Sequence, residues 1–108
     1  DYEAMARAIT ERTKAVIPVD LGGVPCDYDI VFAVLEAKRD LFHPASDIQE
    51  ALGRVAVCED AAHALGSTYH GQMIGSIADF LIFLPCGQEF YDGGGGLSRL
   101  ELAERNIR

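Results

Sequence analysis

Asp60 and His63 are the residues whose types and placement most favour chemistry. They lie three positions apart, directly after the apolar run 55–58. A carboxylate fixed at the end of a strand can pair with a protonated ring nitrogen or a metal, and a nearby imidazole can stack on a flat ligand or hydrogen-bond to it. The residue types alone also allow a simpler interpretation, in which Asp60 caps the next turn and His63 is an ordinary loop histidine.

The position of these residues depends on the strands that precede them. Short apolar runs at 15–19, 55–58 and 80–84 predict three strands that are buried on both faces. Ligands bind beyond the carboxyl ends of parallel strands, so the end of the second run is a favoured place for a site. The strand is expected to end at Cys58 and to deliver Asp60 and His63 into a loop.

The segments between the strands predict helices. Residues 2–9 have helical apolar spacing, and residues 29–42 carry an apolar stripe that includes Ile30. Ser46-x-x-Gln49 has the form of a capping box that begins a short helix. The order strand, helix, strand predicts a βαβ crossover. We therefore expect an α/β fold with three αβα layers and a mostly parallel sheet, formed as a single unit over residues 1–108.

Composition and charge exclude several classes of partner. The 108 residues include 9 Lys and Arg against 17 Asp and Glu, a formal net charge of −8. Because nucleic-acid affinity depends on basic residues, no nucleic-acid partner is expected. The apolar runs are shorter than the roughly 20 residues of a membrane helix, so we expect no membrane association and a cytoplasmic location. Cys26, Cys58 and Cys86 are widely spaced, which favours free thiols, and no metal site is expected.

Two separate motifs resemble those of the DegT/DnrJ/StrS family of sugar aminotransferases. The first is ITERTKAVIPV at residues 9–19, followed by Gly23 and Asp27. The second is EDAAHALG at residues 59–66, followed by YHG at 69–71 and IGS at 74–76. Their order and spacing around a helical crossover make the match specific, and the likeness covers roughly residues 5–83.

The resemblance implies part of the large domain of a pyridoxal phosphate (PLP) transferase with the aspartate-aminotransferase fold. Members of this family are homo-oligomers that transfer an amino group, usually from glutamate, to a keto sugar attached to a nucleotide in polysaccharide biosynthesis. Asp60 matches the aspartate that pairs with the pyridinium nitrogen of the cofactor. His63 matches the position beside the ring and its 3-hydroxyl. An anion in the place of Asp60 keeps the ring protonated, and a protonated ring is the electron sink that transamination needs.

The sequence departs from the family at the position of the catalytic lysine. Depending on how the following segment is aligned, that position holds Gln88 or Glu89. Neither side chain has the primary amine that forms a Schiff base with the cofactor. The chain has two lysines, Lys14 before the first strand and Lys38 on a helix, and neither is expected to substitute. Family members are also several times longer, so the resemblance implies a truncated or degenerate relative that is inactive as an isolated chain.

Three functional interpretations follow from these residues. The chain could take part in catalysis with the remaining segments supplied by another chain. It could be a small-molecule binding module that keeps Asp60 and His63 without the chemistry. It could also be a non-catalytic α/β module that self-associates, because the open edges of apolar strands favour pairing between molecules.

Overall fold

The computed structural model describes residues 1–82. This part of the chain forms three helices and five short strands, joined by loops and by two single 3-10 turns at Leu21–Gly23 and Arg39–Leu41. In chain order the elements are α1 (Tyr2–Ala8), β1 (Ala15–Val16), α2 (Tyr28–Ala37), α3 (Asp47–Leu52), β2 (Ala56–Asp60), β3 (Thr68–Tyr69), β4 (Gln72–Met73) and β5 (Phe80–Ile82).

The main sheet has three parallel strands in the order β1-β2-β5. In the register of the sheet, Ala15 lies opposite Ala56, and Cys58 lies opposite Phe80. Strands β3 and β4 form a separate antiparallel hairpin. The predicted α/β fold with a parallel sheet is confirmed, and β2 occupies the centre of that sheet.

Local side-chain bonds fix where the helices begin and end. The Oδ1 of Asp27 accepts a hydrogen bond from the Ile30 N–H at 3.2 Å and caps α2. The predicted cap of α3 is confirmed, since the Oγ of Ser46 accepts from the Gln49 N–H at 3.3 Å. The same helix ends at Gly53, whose φ of 65° is in the left-handed region that glycine adopts without strain. None of the helices within residues 1–82 has the length and apolar character needed to cross a membrane.

The core lies between α2 and the central strand. Val31, Leu35 and Val57 are each at most 1% exposed. Burying a side chain of this kind stabilises the fold by about 1.5–3 kcal/mol relative to leaving it in water. The stripe predicted over residues 29–42 is only partly correct, because Ile30 is 40% exposed and α2 ends at Ala37.

The strand boundaries differ from the sequence prediction at two places. Strand β1 covers Ala15–Val16 instead of residues 15–19, because Pro18 has no N–H to donate and pairing resumes only at a bridge between Val19 and Asp60. Strand β2 covers Ala56–Asp60, so Asp60 belongs to the strand and not to the following loop.

The remaining predictions fall partly or wholly after the described segment. The third predicted strand, at 80–84, is described over Phe80–Ile82. Gln88, Glu89 and Cys86 lie outside the described residues, as does the rest of the predicted unit over 1–108.

Candidate functional site

Asp60 is the last residue of β2 and is held by backbone bonds on both sides. Its N–H donates to the carbonyl of Pro18 at 2.9 Å, and its carbonyl accepts from the Asp20 N–H at 2.9 Å. The next N–H, of Ala61, donates to the Ile82 carbonyl at 3.0 Å. Asp60 therefore lies at the carboxyl edge of the sheet, fixed between the segment that follows β1 and the end of β5.

The Asp60 side chain is half-buried and has spare hydrogen-bonding capacity. Its Oδ1 accepts from the Ala62 N–H at 3.2 Å, so the residue does cap the turn that follows, as the simpler interpretation expects. Among residues 1–82, Oδ2 meets no donor and the carboxylate meets no cation. One oxygen thus remains available to a ligand that carries a hydrogen-bond donor.

His63 lies in the turn directly after β2, with an exposed side chain. The turn is closed by the Ala64 N–H, which donates to the Ala61 carbonyl at 3.0 Å. This turn packs beside Gly23. The Gly23 carbonyl accepts a hydrogen bond from the Ser67 hydroxyl at 2.8 Å. The imidazole makes no hydrogen bond to any residue that the structure describes, so the backbone is fixed while the ring stays accessible.

Two acidic residues next to Asp60 were not predicted from the sequence. Asp20 and Glu59 are both 0% exposed. The Oε1 of Glu59 accepts from the Gly75 N–H at 2.8 Å. The sequence does contain a signal for the burial of Glu59. Side chains two positions apart in a strand lie on the same face, and Glu59 lies two positions after the fully buried Val57.

Asp20 gathers donors from the loop after β1 and from α2. Its Oδ1 accepts from the Cys26 N–H at 2.8 Å, and the Tyr28 hydroxyl donates to both carboxylate oxygens at 3.0 Å. The carboxyl group of Glu59 lies close enough for the negative charge of Asp20 to raise its pKa. Asp20 and Glu59 therefore form a buried carboxyl pair, which joins the loop after β1 to the central strand.

Burial and like charge perturb the titration of the groups around this pair. Burial raises the pKa of Glu59 to about 7, and the hydrogen bond and negative charge of Asp20 add to the increase. Burial also raises the pKa of the Tyr28 hydroxyl, helped by the charges of Glu59 and Asp20. On the other face of β2, burial and then the charge of Asp60 raise the pKa of the Cys58 thiol.

The two lysines lie away from the carboxyl edge of the sheet. The Lys14 carbonyl accepts a hydrogen bond from the Ala56 N–H at 3.0 Å. Ala56 precedes Asp60 by four residues on β2, which is about 13 Å along the strand. The Lys14 Nζ donates to the carbonyls of Glu11 and His43. Lys38 caps the C-terminus of α2. It follows Tyr28, the first residue of the helix, by ten residues, which is about 15 Å along the helix axis. Neither amine is near Asp60.

A second surface feature is an open groove of about 610 Å³ along α2. It is lined by apolar residues of the helix, by Asp27 and Asp29 at its start, and by Tyr69 and His70, and it contains neither Asp60 nor His63. The Tyr69 hydroxyl donates to the Asp27 Oδ1 at 2.8 Å, and this bond holds the pKa of that carboxyl below its usual range. Residues 1–82 contain no group of three or more side chains arranged to hold a metal.

Comparison with known proteins identifies the family. The profile of the DegT/DnrJ/EryC1/StrS aminotransferase family matches residues 1–85. The chain belongs to this family, which consists of PLP-dependent sugar aminotransferases. The resemblance carried by the two sequence motifs is thereby confirmed.

Individual relatives agree with this assignment. The chain is 45% identical over 83 residues to the spore coat polysaccharide biosynthesis protein SpsC of Bacillus subtilis, covering 77% of this chain and 18% of SpsC. It is 43% identical over 109 residues to the protein MJ1066 of Methanocaldococcus jannaschii, covering 97% of this chain and 24% of MJ1066. The likeness to MJ1066 therefore continues past residue 85.

A solved structure shows the same fold. Spr1654 from Streptococcus pneumoniae, provisionally assigned as a sugar aminotransferase, superposes in its PLP form with a TM-score of 0.73 and 56% sequence identity. The match covers 75% of this chain and 21% of Spr1654, which has also been solved in apo and PMP forms. The present chain thus spans between about a sixth and a quarter of the length of the relatives it matches.

Proposed function

We propose that this chain supplies the part of a PLP-dependent sugar aminotransferase that holds the ring of the cofactor. In this proposal the Asp60 carboxylate accepts a hydrogen bond from the protonated ring nitrogen, and the His63 imidazole lies beside the ring. The supporting observation is the position of Asp60, which ends the central strand at the carboxyl edge with one oxygen free of described donors.

The residues at this edge fit the ring of PLP by their chemistry. A half-buried carboxylate is screened less by water than an exposed one, so it favours a positive charge on the ring nitrogen more strongly. When bound, PLP supplies an electron-withdrawing ring that stabilises negative charge on the carbon bearing the amino group. The protein's task at this position is to keep the ring nitrogen protonated and to fix the plane of the ring.

We further propose that the 108 residues bind PLP without a covalent bond and do not turn over substrate alone. The position that matches the family lysine holds Gln88 or Glu89, and neither side chain can condense with an aldehyde. Lys14 and Lys38 lie about 13 Å or more from the carboxyl edge of the sheet. Attachment and proton transfer would then depend on a lysine outside these 108 residues.

The substrates and partners proposed for the whole protein are those implied by the family. They are a keto sugar attached to a nucleotide, glutamate as the amino donor, and a second copy of the protein in a cytoplasmic homo-oligomer. The similarity to SpsC, whose name refers to spore coat polysaccharide biosynthesis, supports a role in making polysaccharide precursors.

Titration of the purified chain with PLP tests the proposal, followed by borohydride treatment and mass spectrometry. We expect reversible binding, no adduct after borohydride, and an affinity loss of about tenfold or more in Asp60→Asn, because a charge-assisted hydrogen bond is removed. Asp40→Asn, at an exposed position in the turn after α2, is the matched control and should bind as the parent does. Equal affinity in Asp60→Asn would refute the role of Asp60, and a trapped adduct on Lys14 or Lys38 would refute non-covalent binding.

A further inference from the structure

The buried carboxyl pair of Asp20 and Glu59 has too few donors for two ionised groups. Asp20 receives hydrogen bonds from the Cys26 N–H and the Tyr28 hydroxyl. Glu59 receives one at Oε1 from the Gly75 N–H, and the Ala78 N–H also favours its ionised form, but its Oε2 is buried and meets no donor within residues 1–82. An ionised Glu59 would leave that oxygen unpartnered and would set two like charges side by side in a site that water does not reach.

A single proton on Glu59 removes both problems. A protonated carboxyl group is a donor as well as an acceptor, so Oε2–H can donate to the carboxylate of Asp20. Oε1 keeps its bond from the Gly75 N–H. One negative charge then remains in the pair, and it is stabilised by the bonds that Cys26 and Tyr28 already make to Asp20.

We propose that Glu59 keeps its proton at mildly acidic pH, where an exposed glutamate is already ionised, and donates it to Asp20, and that this buried carboxyl pair positions Asp60 at the carboxyl edge of the sheet. The part of the proposal that concerns Asp60 as a cofactor contact rests on the proposed function. Glu59 and Asp20 act through Asp60 and are positioning residues.

The connection to Asp60 is direct along the chain and across the sheet. Asp60 follows Glu59, and its carbonyl accepts from the backbone N–H of Asp20 at 2.9 Å. The side-chain pair therefore joins the same two segments that the backbone bonds of Asp60 join. The bond from Gly75 adds a third segment, the loop before β5. Loss of the side-chain pair would leave Asp60 held by its backbone bonds and by the bond from the Ala62 N–H to its Oδ1.

No positive group faces Glu59 from the elements that the structure describes around it. The loop after β1 contributes Asp20 and the Cys26 thiol, and α2 contributes the Tyr28 phenol. The segment before β5 contributes the backbone N–H groups of Gly75 and Ala78. With acids and neutral groups around it, Glu59 has no cation that would favour its ionised form.

The protonation is tested by following the Gly75 amide by NMR from pH 4 to pH 9 in the full chain, since this N–H donates directly to Glu59. We expect a transition with a midpoint near 7 in the parent and in Glu11→Gln, an exposed control. The transition should disappear in Glu59→Gln, whose amide cannot titrate. A midpoint near the ordinary value of 4.5 would overturn the proposal.

The positioning role is tested by hydrogen exchange at the Asp60 amide, measured relative to the Leu35 amide of α2 so that a general loss of stability cancels. Glu59→Met keeps the volume but removes both hydrogen bonds, and it should raise the relative exchange rate about tenfold, as for loss of about one buried bond. Glu59→Gln can accept from Gly75 and donate to Asp20, and it should restore the parent rate to within about twofold. Equal relative rates in the Met variant and the parent would overturn the positioning role.

These measurements need no cofactor, so they can fail or succeed independently of the proposed function. If PLP does not bind the parent chain, the proposed function is wrong, but the NMR titration and the exchange rates still decide whether Glu59 is protonated and whether the pair positions Asp60. If PLP does bind, the Met variant should bind it more weakly than the Gln variant at the same pH, and equal affinities would contradict the link between the pair and the cofactor contact.

Discussion

Replacing Glu59 by glutamine is expected to remove a loss of stability that the protein suffers as the pH rises. The pKa of Glu59 is raised from 4.5 to about 7 in the folded protein, chiefly by burial. A proton is therefore bound more tightly in the folded state than in the unfolded state. The stabilisation from this proton is fully present below about pH 4.5 and is lost as the pH rises through about 7.

The size of the effect follows from the difference between the two pKa values. At 1.36 kcal/mol per pKa unit, the full contribution is about 3 kcal/mol. Most of it, about 2–3 kcal/mol, is lost between pH 5 and pH 8, because the folded-state titration lies within this range. The Glu59 side chain is 0% exposed, so water screens its charge less than that of a surface carboxylate. Glutamine stays neutral throughout, so the variant should lack this contribution to the pH dependence.

Urea unfolding at pH 5, 6, 7 and 8, followed by circular dichroism, measures the prediction. The free energy of unfolding of the parent should fall toward pH 8 by about 2–3 kcal/mol more than that of Glu59→Gln. Glu11→Gln, at an exposed site, should follow the parent and thereby account for the other titrating groups. The reasoning would be refuted by parent and Glu59→Gln curves that stay parallel to within about 0.5 kcal/mol over this range.

Two further substitutions test the loop between the hairpin and β5. Asp79→Ala should lower the free energy of unfolding by about 2–4 kcal/mol. Asp79 forms a two-point ion pair with Arg54 at 2.7 and 2.8 Å and also accepts a hydrogen bond from the Val57 N–H. A loss below about 1 kcal/mol in urea unfolding would contradict this prediction. Gly75→Ala should lower the melting temperature and reduce the free energy of unfolding by about 1–2 kcal/mol. The φ of Gly75 is 91°, and the added Cβ would lie 2.8 Å from the Leu81 Cδ2. An unchanged melting temperature would contradict this prediction and show that the loop adjusts without strain.

Local signals in the sequence were sufficient where a short segment determines its own structure. The helix cap formed by Ser46 and Gln49 needs only neighbouring residues, and the sequence predicts it. The parallel sheet was also predictable, because its apolar runs are separated by a helix. The length of β1 was overestimated, since Pro18 interrupts the ladder within an otherwise apolar run.

The missed features depend on contacts between distant parts of the chain. Charged side chains are rarely buried without a partner, so the sequence pattern predicts a loop at Glu59 and Asp60, although both residues belong to the end of the central strand. What permits burial of Glu59 is Asp20 and the Gly75 N–H, which no local pattern connects to it. The β3-β4 hairpin was missed because its turn uses His70 at φ 50° before a glycine, in place of the common Asn-Gly or Asp-Gly pair.

At the candidate site, the sequence identified residue types better than their surroundings. Asp60 and His63 lie at the carboxyl edge of the sheet, as expected, but the prediction of their roles came from the family resemblance. The interpretation of Asp60 as a turn cap and its interpretation as a ligand contact are compatible, since its two oxygens have different surroundings.

The central position of β2 has a consequence for how the protein folds. The first pairing brings together Ala15 and Ala56, about 40 residues apart in the chain, and the second brings together Cys58 and Phe80, about 20 apart. The chain loses conformational entropy when it closes loops of this length, and it does so before most of the stabilising contacts form. Folding is therefore expected to be slower than that of a helical bundle of similar size. Because β2 takes part in both pairings and ends in Asp60, the sheet and the candidate site should acquire their native arrangement in the same late step.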